Sequence, residues 1–176
     1  MDTANEWLCI LSTWLSSNKL ALNVEKTNYI IFRARKNVIN NNIELTFQGH
    51  QINRVDVHMF LGVHFHEYLS WTHHVSKLRI NVSKTLGLLN RLRFILPAWF
   101  KQKLDYAMIF SCLYYCILVW GSTGKGNLEK LYGLQKKCII FIANKSRYEY
   151  AFQMFLKYKV LPLIMCSSRV WQITCI

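Results

Sequence analysis

The spacing of apolar residues changes near residue 70, and this change limits the folds that the chain can adopt. Before it, runs such as residues 43–47 (IELTF) alternate apolar and polar side chains, which is typical of half-buried β-strands. After it, apolar residues recur as on one face of a helix, at Val75, Leu78, Val82, Leu86 and Leu89. The sequence therefore predicts an α+β fold: a small antiparallel sheet with one helix in residues 1–70, then a mainly α-helical bundle in residues 71–176.

Turn residues and periodicity predict the individual elements. Helical spacing indicates a first helix over residues 4–18, and turns are expected at residues 37–42 and 48–50. Gly62 marks a bulge or a close backbone approach within the last strand. The predicted strands are residues 29–32, 43–47, 51–55 and 58–65. The predicted helices of the second part are residues 75–89, 101–120, 127–142, 148–158 and 163–174.

The charge of the chain changes at the same place as its periodicity. The 22 basic and 9 acidic residues give a formal net charge of +13. Residues 1–70 carry six of each sign, whereas residues 71–176 carry sixteen basic residues and three acidic ones, which accounts for the whole net charge. A charge of this size on one part of a small protein predicts a polyanionic partner.

Basic residues seven apart form a stripe on the first predicted helix of the second part. Lys77, Lys84 and Arg91 fall opposite its apolar face and span about 21 Å at 1.5 Å per residue. Such a stripe suits phosphate contacts on a duplex, although a charged helix face is often only a solvated one. No base-reading motif accompanies it, so we expect recognition of shape and backbone. The candidate nucleic-acid-binding residues are Lys77, Arg79, Lys84, Arg91, Arg93, Lys101, Lys103, Lys130, Lys136 and Lys137.

Composition argues against several kinds of site. Only three Asp occur, and no two acidic residues are close neighbours, so nothing seeds a two-metal phosphoryl-transfer site. The six Cys fit free thiols, with Cys112 and Cys116 packed in a core, better than disulfides or metal ligands. The six His, all within residues 50–74, lack the spacing of a zinc site. Residues 121–126 (GSTGKG) do not match a phosphate-binding loop. We therefore expect no metal and no cofactor.

The sequence shows no span across a membrane and no secretory signal. Its longest apolar stretch, residues 107–120, is too short to cross a bilayer, and the first residues lack a basic segment before an apolar one. These features predict an intracellular protein of the nucleus or cytoplasm. Attachment to the surface of an anionic membrane stays open, because a charge of +13 would also suit it.

Four strings resemble one known family when taken in order. They are WLSSNKLALNVEKTNYIIF at residues 14–32, FLGVHFHEYLSWTHHV at 60–75, KLRINVSKTLGLLNRLRFILP at 77–97 and YYCILVWG at 114–121. This order resembles the C-terminal part of reverse transcriptases from jockey-like non-LTR (LINE-type) retrotransposons. In that family the first string follows the catalytic YADD strand in the late palm, the second lies at the primer grip, and basic helices of the thumb follow.

The resemblance implies roles for particular residues. Lys26 matches the lysine that lies near the phosphates of the incoming nucleotide, and Phe60, Leu61 and Gly62 match the primer-grip turn, with Phe60 and Leu61 anchored in the core. His66 departs from the family pattern, which usually has Asp there. The family's catalytic carboxylates and the Mg²⁺ ions that they hold belong to an upstream part, which is missing here.

The expected function is therefore that of a polymerase fragment without catalytic residues. It would bind an RNA–DNA hybrid or another nucleic acid through its basic helices, and it would have no polymerase activity alone. Two alternatives stay open. The chain could be a truncated, non-functional product with an exposed, sticky palm face, or a basic module that binds membrane surfaces or other polyanions.

Overall fold

The chain folds into two units, and both helices and strands are present. The computed structural model describes residues 2–37, 44–145 and 151–165. The units are Met1–Ser70 and Trp71–Ile176. Several helices and two small sheets confirm the predicted α+β class. Most of the predicted turn at residues 37–42, the start of the helix at 148–158 and most of the helix at 163–174 lie outside the described residues.

Within its described residues, the first unit combines one α-helix with five short strands. A three-stranded sheet has the order β1-β3-β2, in which β1 runs parallel to β3 and β2 runs antiparallel to it. Strands β4 and β5 form a separate antiparallel hairpin. The elements are α1 (Asp2–Ser17), a 3₁₀ turn (Val24–Lys26), β1 (Asn28–Tyr29), β2 (Leu45–Phe47), β3 (His50–Arg54), β4 (Val57–Phe60) and β5 (Val63–His66).

Two tight turns set the register of this unit. Gln48 and Gly49 have φ values of 49° and 80°, and they join paired residues of β2 and β3. Leu61 and Gly62, with φ values of 46° and 77°, join β4 to β5 in the same way. Positive φ at both central residues is typical of the two-residue turns that match strand twist. The predicted bulge at Gly62 is therefore wrong: this glycine is the second residue of a turn between two strands.

The run at residues 29–32 does not form the buried strand that was predicted. Only Asn28–Tyr29 pairs in the sheet, because its partner β3 ends at Arg54 and offers no further ladder. Beyond the strand, Phe32 is 50% exposed, and the amide of Arg33 donates instead to the Glu67 carbonyl at 2.9 Å. An apolar run becomes a strand only where a neighbour supplies hydrogen bonds.

The first unit has a small core. Among the residues that the structure describes there, the buried apolar side chains are Phe47, Ile52 and Val63. The helix predicted over residues 4–18 is present as α1, but the indole rings of Trp7 and Trp14 are 69% and 55% exposed. Helix α1 therefore buries its apolar positions only in part, through Leu8 and Leu15 on the face that packs against β2.

The second unit contains helices built around one large core. The apolar face predicted for its first helix is buried in full, at Val75, Leu78, Val82, Leu86 and Leu89. These side chains belong to the same core as Leu131, Cys138 and Ile142 of a second long helix. The elements are α2 (Thr72–Arg91), α3 (Ala98–Asp105), a π-helical turn (Tyr106–Phe110), α4 (Ser111–Tyr114), α5 (Ile117–Trp120), α6 (Lys125–Ala143) and α7 (Ala151–Lys157).

The single helix predicted for residues 101–120 is broken once, near its end. The backbone stays helical through the π-helical turn as far as Tyr114, and Cys116 then adopts a left-handed conformation with φ 51°. The buried Trp120 stabilises this break, because its indole N–H donates to the Tyr115 carbonyl at 2.8 Å. Cys112 is exposed on α4, so its predicted place in the core is wrong, whereas Cys116 is half-buried and packs against the core. Within the described residues, no helix is both long and apolar enough to cross a membrane.

Candidate nucleic-acid interface

A basic groove of about 600 Å³ lies between α2 and α6. Four cationic side chains line it, two from each helix, and no acidic residue is among its lining residues. A cleft that is lined by charges of one sign and has low-dielectric walls concentrates the electrostatic potential inside it. The lining residues are Arg79, Ile80, Ser83 and Lys84 of α2 and Lys130, Gly133, Leu134 and Lys137 of α6.

Helix geometry explains why these residues meet. On α6 the lining positions follow the i, i+3, i+4, i+7 pattern of one helix face, beside the buried Leu131 and Cys138. On α2 they flank the buried Val82 and Leu86. The two helices pack through those apolar residues, so the adjacent positions face each other across the groove. Gly133 has no side chain to fill the space between them, and a Cβ built there meets nothing within 4 Å.

The predicted stripe on α2 is exposed, but only one of its members lines the groove. Lys77, Lys84 and Arg91 all lie on the solvent side, as their spacing indicated. Lys84 also faces α6, whereas Lys77 and Arg91 are absent from the groove lining. The groove instead pairs Lys84 with Arg79, which the stripe does not include.

Lys101 must be removed from the candidate phosphate contacts. Its side chain is fully buried, and its ammonium group donates to the Arg93 carbonyl at 2.9 Å and to Asn144 Oδ1 at 2.6 Å. The charge also lies 5.6 Å from the centre of the Phe141 ring. Burial, and then the charge of Arg93, lower the pKa of Lys101. This lysine ties α3 to the end of α6 and does not reach a ligand.

Arg93 also serves the fold. Its guanidinium group donates to the Lys145 carbonyl at 2.6 Å, so it braces the segment after α2 against the segment after α6. Its Cζ lies 5.7 Å from the centre of the Phe94 ring. These contacts hold the side chain half-buried, and its predicted role in binding stays untested.

Two other predicted cations contact aromatic rings. The Lys136 ammonium lies 4.4 Å from the centre of the Tyr132 ring on α6, away from the groove lining. The Lys103 ammonium lies 5.2 Å from the Trp99 ring, on a different surface formed by α3 and the π-helical turn. The ten predicted residues therefore do not form one track.

The residues assigned by family resemblance lie in the first unit. Lys26 is exposed at the end of the 3₁₀ turn, where its amide donates to Asn23 Oδ1 at 3.2 Å. Phe60 and Leu61 are 61% and 72% exposed at the tip of the β4–β5 hairpin. The expectation that these two side chains anchor the hairpin in the core is wrong, because a two-residue turn places them at its exposed end.

Two ionisable clusters were missed by sequence reasoning. Glu67 accepts hydrogen bonds from Arg33 at 2.9 and 3.1 Å and from Arg54 at 3.2 Å. The bonded Arg33 is the main cause that lowers the pKa of Glu67. In the second unit Asp105 is buried beside the Cys138 thiol, and burial raises the pKa of Asp105 to about 6. The partners are 34 and 33 positions apart, so no local pattern indicates either cluster.

Metal ligands do not converge in the part of the chain that the structure describes. No group of three or more His, Cys, Asp or Glu side chains there is arranged to hold an ion. The comparisons with known proteins add no identification: no protein-family model, no curated protein and no solved structure matches the chain.

Proposed function

We propose that the second unit binds the sugar–phosphate backbone of a nucleic-acid duplex, an RNA–DNA hybrid in particular. The observation that carries the proposal is the α2–α6 groove, which holds four cations and no acidic residue. Lys and Arg contacts to phosphate release counterions and supply affinity that does not depend on sequence.

The chemistry of the groove favours backbone over base recognition. Its polar side chains are Arg79, Ser83 and three lysines, all of which can donate hydrogen bonds to phosphate oxygens. Asn and Gln, which read adenine edges with paired hydrogen bonds, are absent from the lining. Binding should therefore follow the shape and charge of the duplex.

The sequence resemblance supports a more specific proposal, that the chain corresponds to the late palm and thumb of a LINE-type reverse transcriptase. Under it, Lys26 lies near the nucleotide phosphates, and Phe60, Leu61 and Gly62 contact the primer. Their exposed positions are compatible with such contacts. The catalytic carboxylates and Mg²⁺ of that family belong to a part of the polymerase that the four resembling strings do not cover.

The test is a filter-binding titration of the full chain against a short RNA–DNA hybrid at several salt concentrations. Four phosphate contacts predict that log K falls with log salt with a slope of about −3.6 from the groove alone. Replacing Arg79, Lys84, Lys130 and Lys137 with Gln should weaken binding at least about tenfold at about 50 mM salt and remove most of that slope.

A variant with the same change in charge provides the control. Lys19, Lys36, Lys125 and Lys157 are exposed and lie outside the groove lining, so replacing them with Gln should have a much smaller effect. An equal loss of affinity in the two variants would show that binding depends on the net charge of the protein and not on the groove. A separate Lys77→Glu/Arg91→Glu variant measures whether the rest of the α2 stripe contributes.

The same titration with anionic vesicles addresses the membrane-surface alternative. Tighter, groove-dependent binding to vesicles than to the hybrid would contradict the proposal. The sticky-fragment alternative draws on the exposed Trp7, Trp14 and Leu61 of the first unit. It predicts aggregation with no saturable binding, which light scattering during the titration would detect.

A further inference from the structure

A second basic surface of the Trp71–Ile176 unit carries aromatic side chains. One face of α3 and the π-helical turn forms it, through Trp99, Gln102, Lys103, Tyr106 and Ala107. It borders an open depression of about 630 Å³ and shares no lining residue with the α2–α6 groove. The Trp99 ring is 61% exposed and the Tyr106 ring is partly exposed. Large aromatic rings at the surface beside a cation indicate a ligand with both flat faces and negative charge.

The polar and aromatic groups of this surface are held by neighbouring segments. The Tyr106 hydroxyl donates to the Lys159 carbonyl at 3.0 Å, and the Tyr106 ring lies 4.9 Å from that of Phe110. Gln102 Nε2 donates to the Tyr158 carbonyl at 2.8 Å. The Lys103 ammonium lies 5.2 Å from the Trp99 ring centre. Tyr106 and Gln102 are therefore oriented before a ligand arrives, which lowers the entropic cost of binding.

We propose that this surface, named the Trp99 surface, stacks unpaired bases of a single-stranded nucleic acid. The proposal deepens the proposed function and rests on it, since the same unit would bind the paired segment in the α2–α6 groove. Trp99 and Tyr106 are seven residues apart, which is about 10 Å along a helix.

Charge complementarity supports this occupant. Asp105 is the one acidic residue in residues 98–110, and it is buried beside Cys138, so its carboxyl group does not line the Trp99 surface. A strand on the Trp99 surface would meet Lys103 at its backbone and aromatic faces at its bases. A lipid bilayer fits less well, because the lining contains no aliphatic side chain larger than Ala107.

The test compares two single-stranded oligonucleotides of equal length, one with bases and one fully abasic, so that the phosphates are the same in both. The full chain should bind the strand with bases about 5- to 100-fold more tightly, as stacking on an aromatic ring predicts. Trp99→Ala should remove this preference, and Trp99→Phe should retain most of it. Trp99→Ala should leave affinity for a fully paired hybrid unchanged.

The matched control is Phe152→Ala, which removes an exposed aromatic ring from α7, outside the Trp99 surface. It should keep the preference for bases.

Equal affinity for the two strands, or a preference that survives Trp99→Ala, would overturn the proposal. Binding to anionic vesicles that Trp99→Ala abolishes, without a base preference, would assign the surface to lipid instead. If the chain binds the hybrid without a base preference, this inference fails alone; if it binds neither nucleic acid, the proposed function fails too.

Discussion

Asp105 shows how a single buried residue makes stability depend on pH. Its carboxyl group is 3% exposed, and its Oδ1 has no hydrogen-bond partner among the described residues. The Cys138 thiol donates the side-chain hydrogen bond that partly offsets the burial of Asp105. Burial and the adjacent carboxylate also raise the pKa of Cys138, so this thiol stays protonated. The carboxyl group therefore ionises in the fold at a cost.

The sign of that cost follows from the pKa of about 6 for Asp105 against 3.8 ordinarily. Between these values the folded state binds more protons than the unfolded state, so stability falls as pH rises. Above pH 6 the whole penalty is present, up to about 3 kcal/mol for a shift of about two units. We predict that Asp105→Asn stabilises the protein by about 1–3 kcal/mol at pH 7.5, measured by urea unfolding.

At pH 4 the same substitution should have a much smaller effect, because the Asp105 carboxyl is then protonated in the folded state and only about half ionised in the unfolded state. Asp56→Asn, at an exposed position of the first unit, is the control and should change stability little at either pH. A loss of stability in Asp105→Asn at pH 7.5 would mean that the carboxylate is needed in its ionised form.

Individual residues also show the limit of sequence reasoning about charge. Lys84 and Lys101 are both lysines on basic helices, and both were assigned to phosphate contacts. Lys84 lines the groove, whereas Lys101 is buried and bonded to Asn144. This difference depends on Asn144, which lies 43 positions from Lys101 in the sequence. The helical periodicity around Lys101 therefore does not indicate that its side chain is buried.

At the scale of elements, Gln135 of α6 fastens the chain that follows α7. Its Oε1 accepts from the Leu163 amide at 2.9 Å, and its Nε2 donates to the Leu161 carbonyl at 2.9 Å. The Tyr114 hydroxyl donates to the same carbonyl. Replacing Gln135 with Leu removes these two bonds and the one that Nε2 donates to the Tyr114 hydroxyl at 3.4 Å, and it leaves the buried Leu163 N–H unsatisfied. We predict that Gln135→Leu lowers the free energy of unfolding by about 1–3 kcal/mol.

Urea unfolding with tryptophan fluorescence would measure this change. The control is Gln153→Leu, which removes an exposed amide from α7 and should change stability by less than about 0.5 kcal/mol. Equal effects of the two substitutions would show that the buried amide does not fasten the segment after α7.

Secondary-structure elements differ in how far the sequence of their own residues determines their conformation. Helix α2 was predictable because the apolar residues of one face, from Val75 to Leu89, repeat over about four turns and all lie in the core. The turn at Gln48 and Gly49 was predictable from a glycine between two alternating runs. The break at Cys116 was not, because it depends on the packing of Trp120 and the bond that its indole makes to Tyr115. The groove was partly predictable: its cations were named, but their pairing across α2 and α6 is a tertiary property.

At the scale of the whole molecule, the two units should respond to pH in opposite directions. In the first unit, hydrogen bonding to Arg33 is the main cause that lowers the pKa of Glu67, and Arg54 adds its charge. A carboxyl with a lowered pKa contributes stability that is present above its unfolded value, about 4.3, and is lost as pH falls through the folded value. In the second unit, Asp105 acts with the opposite sign: its penalty is absent near pH 4 and complete above pH 6.

We therefore predict that urea unfolding resolves two transitions, one for each unit. The urea concentration at the midpoint of each transition should change differently with pH. As pH falls from 7.5 to about 4, the second unit should gain stability, while the first loses stability as the pH drops below about 4. Glu67→Gln should reduce the acid sensitivity of one transition, and Asp105→Asn should flatten the pH dependence of the other, which assigns each transition to its unit. A single transition that both substitutions shift alike would mean that the two units unfold together. In that case the neutral and basic parts of the chain, although built around different cores, would depend on each other for folding.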